Sequence, residues 1–204
     1  MEEDAATERE HRVRALADAG DHNGAAALAV SELGDEVYAY VLSRSRDDDE
    51  AGDVFSQACA DLLTSMPTFQ FRCTIRTWFY RLARSAGARH RATAANRSDR
   101  RIALSQISEA IDQVRTRTHL HMRSEIKDGF RKLREQLDPH DQQLLMLRID
   151  RDLAWNEIAE IVEDIDDPDL ISRAATRLRQ DFQKLKDRLR EMAIADGLIP
   201  PPAT

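Results

Sequence analysis

The chain has 204 residues, 33% of them charged and 5% aromatic, and a formal net charge of −7, which suits one or two compact domains. Alanine, leucine, arginine and the acids outweigh a few glycines and prolines, so a mostly helical fold is expected. No apolar run approaches the roughly 18 residues of a membrane span, and the acidic opening MEEDAATERE lacks the apolar core of a signal peptide, so a cytoplasmic protein is expected.

In chain order, residues 5–29 are Ala-rich and read as helix, broken near Gly20-Asp21 and again near Asn23-Gly24. Residues 32–45 carry Val37, Tyr40 and Val41 as a helical stripe, and Asp47-Asp48-Asp49 then supplies N-capping carboxylates. The next helix places Val54, Phe55, Ala58, Cys59 and Leu62 on one face and ends at Pro67. Residues 68–74 read as a loop, and residues 75–91 as a helix burying Trp78, Phe79, Leu82 and Ala86. The polar, weakly periodic residues 92–123 read as a linker. Ile126, Phe130, Leu133 and Leu137 then mark an amphipathic helix. Asp138-Pro139 opens a helix containing Leu144, Leu145 and Leu147, residues 155–162 form a short one, and Asp167-Pro168 opens a long last one. Its apolar stripe is Ile171, Ala174, Leu178, Phe182, Leu185 and Leu189, and a Pro-rich tail should be loose after it. No strand signal of any strength is present, so the fold class is all-α: two small helical domains joined by a linker.

Charge is distributed unevenly. Residues 71–101 hold nine arginines against one acid, Asp99, and residues 171–190 hold seven basic residues against Asp181 and Asp187. Two basic islands on an acidic chain imply two separate anion contacts and weak nucleic-acid affinity for the isolated protein. In the C-terminal island, three helices with short turns end in a long basic one, the pattern of a helix-turn-helix whose last helix enters a major groove. Its polar stripe, Arg173, Arg177, Gln180 and Lys184, shares one face. Arginine and glutamine can read base edges there.

Two segments carry a family likeness. EAGDVFSQACADLLTSMPTF followed by QFRCTIRTWFYRLARSAGARHR resembles the second region of extracytoplasmic-function (ECF) sigma factors of RNA polymerase, most strongly over Arg76-Thr77-Trp78-Phe79-Tyr80-Arg81-Leu82-Ala83-Arg84. LDPHDQQLLMLRIDRDLAWNEIAEIV resembles the start of their fourth region through its LLxLR and xEIAEI segments. The two stand in the family's order and separation.

The resemblance implies a region-2-like domain over residues 35–91, a linker over 92–123 threading the polymerase RNA channel, and a region-4-like helix-turn-helix over 124–195. Residues 1–34 form an N-terminal extension outside the basic pattern, and 196–204 a tail. It implies that Asp53, Ser56 and Gln57 dock on the polymerase clamp. The loop residues Phe69, Gln70, Phe71, Cys73 and Thr74 would hold a base flipped from the minus-ten element, while Arg76, Arg81, Arg84, Arg89 and Arg91 track phosphates. Trp78, on the apolar stripe, is expected in the core. Ser172, Arg173, Thr176, Arg177, Gln180 and Lys184 would meet the minus-thirty-five element. Ser85 departs from the family's usual Asn. The last turn and helix run about one helical turn long, so either Ser172-Arg173 or Thr176-Arg177 aligns with the family's Ser-Arg pair.

Core polymerase (clamp and flap), promoter DNA and an anti-sigma factor are the implied partners. No catalytic arrangement, phosphate loop or cofactor motif is present in the sequence, and His119 and His121 lack metal-ligand partners at useful spacing. A non-enzyme without cofactor or metal is therefore expected. Other readings of the residues are a stand-alone helix-turn-helix regulator and a sigma-like adaptor that binds an anti-sigma factor.

Overall fold

The computed structural model describes residues 2–92, 111, 114 and 128–200. Among them every regular element is helical, as expected of an all-α chain. The chain divides into two compact units, Met1–Arg123 and Ser124–Thr204.

The first unit is built on α1 (Glu2–Asp18), α2 (His22–Leu42), α3 (Asp48–Ser65) and α4 (Ile75–Ala92). Helix α2 runs unbroken through Gly24 and across residue 34, the expected end of the extension. The single break lies before it, where Gly20 takes φ 81°, a left-handed conformation that glycine adopts freely. The second expected break is absent because Asp21 caps the helix, its carboxylate accepting from the Gly24 N–H at 2.9 Å. Helix α2 ends at Leu42, short of residue 45. Asp47 caps α3 as expected, accepting from Glu50 N–H at 2.8 Å, and a short 3-10 turn, Met66–Thr68, follows α3.

The core of this unit is aromatic. The Phe55 ring lies 5.1 Å from Tyr38 and 6.1 Å from Phe79, and Tyr40 meets Tyr80 edge-on at 5.2 Å. Helix α4 buries Ile75, Phe79, Tyr80, Ala83 and Ala86. Trp78 and Leu82 flank that stripe and are only half-buried. Cys59 is a buried free thiol, pushed well above its ordinary pKa by that burial, and Cys73 is free and half-buried. Of the segment read as a linker, Ala92 ends α4, and Ile111 and Val114 are buried. Val114 packs against Gly34, where an added Cβ would lie 2.6 Å from Val114 Cγ2. The rest of that segment, His119 and His121 included, lies outside the described residues.

The second unit comprises α5 (Asp128–Glu135), α6 (Pro139–Leu145), α7 (Trp155–Glu163) and α8 (Pro168–Ala195). Helix α6 continues into one π-helical turn, Met146–Asp150. Leu133, Leu137, Leu144, Leu147, Ile158, Ile161, Leu178, Phe182 and Leu185 form its core. The Asp-Pro openings act as expected. Asp138 accepts from His140 and Asp141 N–H at 3.0 and 2.9 Å, and Asp167 from Asp169 and Leu170 N–H, both at 3.0 Å. Beyond α8, Gly197 turns left-handed at φ 69° and Leu198 N–H returns to the Ala193 carbonyl at 2.8 Å. The start of the expected loose tail is thus fastened to the helix, a common helix-ending device. Residues 201–204 lie outside the description.

One ion pair ties α8 to α6. The Asp141 side chain, 8% exposed, pairs with Arg188. The two neighbouring acids move in opposite directions. Backbone hydrogen bonding from Asp141 holds Asp138 below its ordinary value, whereas burial, then the Asp138 charge, pushes Asp141 up. Arg188→Ala leaves the Asp141 carboxylate buried without its cation. Because Arg188 is half exposed, the expected loss is about 1–2 kcal/mol at neutral pH. Removing the guanidinium raises the Asp141 pKa further, so the loss should shrink as pH falls through that value and the carboxyl becomes neutral. Urea denaturation of both proteins across pH 3 to 7, on the order of half a unit per step, checks the magnitude and the sign.

Candidate nucleic-acid interface

In the first unit, the turn between α3 and α4 projects an aromatic cluster. Pro67 lies in the 3-10 turn after α3, and Thr74 immediately precedes α4, its Oγ1 accepting from Thr77 N–H at 3.1 Å. Between them, the rings of Phe69 and Phe71 lie 4.6 Å apart, and Phe69 stacks on Trp78 at 5.4 Å and 17°. All three are half-buried. The Trp78 indole N–H donates to Ser65 Oγ at 3.3 Å, which holds the ring at the end of α3. Trp78 is thereby a partly open stacking surface, where the stripe pattern expects a core residue. Phe71 has φ 52°, an uncommon conformation for a bulky side chain. Gln70 and Thr74 are exposed beside the rings, and Cys73 is half-buried.

The arginines of α4 separate into different roles. Arg76 is committed within the fold, pairing with both carboxylate oxygens of Glu36 at 2.8 Å. Arg81 is buried, with its guanidinium 5.4 Å from the Trp78 ring. Arg89 pairs with Asp61. Arg84 and Arg91 line a small cavity together with Arg44, Tyr40 and Glu50, and Arg44 sits over the Tyr40 ring at 5.7 Å. Burial raises the Tyr40 pKa, while the cations of Arg44, Arg84 and Arg91 act the other way. The cavity therefore gathers three guanidiniums, two from α4 and one from the turn after α2, and Arg44 is a member that the pattern along α4 does not reveal.

On α3, Asp53 is exposed, whereas Ser56 and Gln57 are half-buried. The Gln57 amide turns along the helix and donates to Asp61 at 2.6 Å. Asp61 thus holds Gln57 with one oxygen and Arg89 with the other, linking two residues that sequence reading assigns to separate surfaces.

In the second unit, Ser172, Arg173, Thr176, Arg177, Gln180 and Lys184 are all exposed on α8, opposite buried Ala174, Ala175, Leu178, Phe182 and Leu185. Both alternative Ser/Thr-Arg pairs therefore face solvent. Their surroundings differ: Arg177 pairs with Glu163 of α7 at 2.9 Å and Lys184 with Asp181 at 3.0 Å. Thr176 Oγ1 donates to the Ser172 carbonyl at 3.0 Å. Trp155 supports the helix from α7, edge-on to Phe182 at 5.3 Å, with Arg148 and Arg179 over its ring at 5.5 and 5.9 Å.

Among the described residues no group of three His, Cys, Asp or Glu side chains is placed to hold a metal ion, and no helix is long and apolar enough to cross a membrane. No protein-family model, curated protein or solved structure matches the chain.

Proposed function

We propose that the chain is a sigma factor of the ECF type, which docks on core RNA polymerase, recognises promoter DNA and promotes its opening. The observation that carries this reading is the ordered pair of motifs, RTWFYRLAR at residues 76–84 and LLMLR with NEIAEIV at residues 144–162. The geometry supports it in two places. A partly open aromatic cluster with polar neighbours suits an unstacked base, and an exposed face of long donors on α8 suits a duplex groove.

In this reading residues 35–91 serve the polymerase clamp and the minus-ten element, and residues 124–195, as a helix-turn-helix, the flap and the minus-thirty-five element. Arg84 and Arg91 are the α4 arginines best disposed toward DNA phosphates. Arg76, Arg81 and Arg89 shape the surface, being engaged with Glu36, Trp78 and Asp61. Chemistry is left to the polymerase, and the protein works in the cytoplasm beside it. An anti-sigma factor is a partner of the same proposal.

Docking is tested by Asp53→Arg with Gln57→Arg. Both positions lie outside the buried Val54, Phe55 and Cys59 face, so helicity should be kept. Core binding should weaken about tenfold or more, since like charges placed against a basic clamp surface repel. Unchanged affinity in a pull-down, with normal circular dichroism, removes Asp53 and Gln57 from the docking surface.

A further inference from the structure

We propose that helix α1 is part of the nucleic-acid surface of the first unit: Arg14 supplies a phosphate contact for single-stranded DNA, and Glu10 is a positioning residue for the Phe69–Phe71 loop. The proposal rests on the functional reading above for its ligand, melted promoter DNA.

Helix α1 is firmly seated. Val13 is fully buried, and Arg12 pairs with Glu32 of α2 at 2.6 Å. From that seat Glu10 reaches across the chain. Its two carboxylate oxygens accept from the Ile75 N–H at 2.9 and 3.2 Å. Ile75 is the first residue of α4, and its N–H has no partner inside its own helix. The contact fixes the end of the loop. Burial raises the Glu10 pKa and the bond from Ile75 opposes that rise, as for a carboxylate held in a partly dry seat.

Arg14 stands one helical turn further on and shares a face with Glu10. Its guanidinium lies 5.2 Å from the centre of the Phe71 ring, the residue with the left-handed backbone. The side chain nevertheless remains 58% exposed, and its pairing with Asp18 is a long one at 3.9 Å. A stacking surface edged by an accessible cation is the arrangement that single strands require: rings for bases and positive charge for the backbone. A helix that masked the loop would cover its polar groups, but Gln70 and Thr74 stay exposed. The contacts therefore favour a working wall over a cover.

The test uses the full chain carrying Trp155→Phe, which leaves Trp78 as the only remaining tryptophan. In the free protein, Glu10→Ala, which leaves no acceptor for the Ile75 N–H, should shift Trp78 emission and increase its quenching by acrylamide, because the loop end is released. In complex with core polymerase, binding of a labelled fork oligonucleotide, single-stranded over the minus-ten element, is then followed against salt. Arg14→Ala should weaken binding and reduce the slope of log K against log salt by about 0.7, the value for one single-strand phosphate. Arg14→Lys should keep the slope. Glu10→Ala should weaken binding at unchanged slope, which a lost phosphate contact would not do. An unchanged slope in Arg14→Ala overturns the phosphate contact, and unchanged Trp78 emission in Glu10→Ala overturns the positioning role. Tighter fork binding by either variant identifies α1 as a cover and overturns the proposal as a whole. If the wild-type complex does not bind the fork, the functional reading and Arg14's contact fall together, while the Trp78 measurement still decides whether α1 holds the loop.

Discussion

Phe55→Ala should destabilise the first unit by about 3–5 kcal/mol, the usual range for deleting a fully buried phenylalanine. Phe55 is 0% exposed and sits on α3 between Tyr38 of α2 and Phe79 of α4. One side chain therefore joins three helices, and the cavity left by alanine is bounded by other rigid rings with little freedom to collapse. Domains are stable by only about 5–15 kcal/mol, so the loss is a large share of what the unit has. The positions of Asp53, the aromatic loop and Arg84 all depend on this packing, so docking and DNA contact should fail together. Urea denaturation followed by circular dichroism gives the value. A loss below about 1 kcal/mol would mean that Phe55 is not at the junction of the three helices.

The second large effect separates the two basic surfaces. Gln70→Ala with Phe71→Ala should reduce transcription from an intact promoter by roughly tenfold or more, since aromatic stacking on an unpaired base is worth about 1–3 kcal/mol. A template already mismatched over the start region should restore much of that activity, because the cost of unstacking has been removed. Arg173→Ala should instead relax preference at the upstream element by about 1–3 kcal/mol for a lost bidentate contact, and the mismatched template should not repair it. The structure ranks Arg173 above Arg177 for this role, because Arg177 must first leave Glu163. Paired templates, intact and mismatched, decide the matter. Rescue of the loop and Arg173 variants alike, or of neither, contradicts the division of labour.

Helix content, caps and the buried stripe of α8 were legible in the sequence because each is set by residues a few positions apart. Asp47, Asp138 and Asp167 cap through their own local N–H groups, and a helix as long as α8 repeats its pattern often enough to be unambiguous. The inward face of α4 was harder to read. An arginine-rich helix offers few apolar residues, so Trp78 joins any stripe drawn through it. Its orientation is set by Ser65, 13 residues away. The same limit applies to charge. The sign of the island on α4 is plain from the chain, but its partners are not: Glu36 lies 40 residues from Arg76, Asp61 lies 28 from Arg89, and Glu10 lies 65 from Ile75. Arg44, Asp61 and the α1 pair thus enter the candidate site only through tertiary structure.

The most direct test of the proposed function is run-off transcription with core polymerase and promoter-bearing genomic fragments, beside a gel-shift of the protein alone. With a net charge of −7 and acids around both basic islands, the free protein should bind duplex DNA poorly at moderate salt. Core enzyme should convert it into a promoter-specific initiator, with discrete transcripts that need both components. Tight, sequence-specific binding by the free protein, with no transcript dependent on its addition to core, would contradict the account and identify a stand-alone regulator.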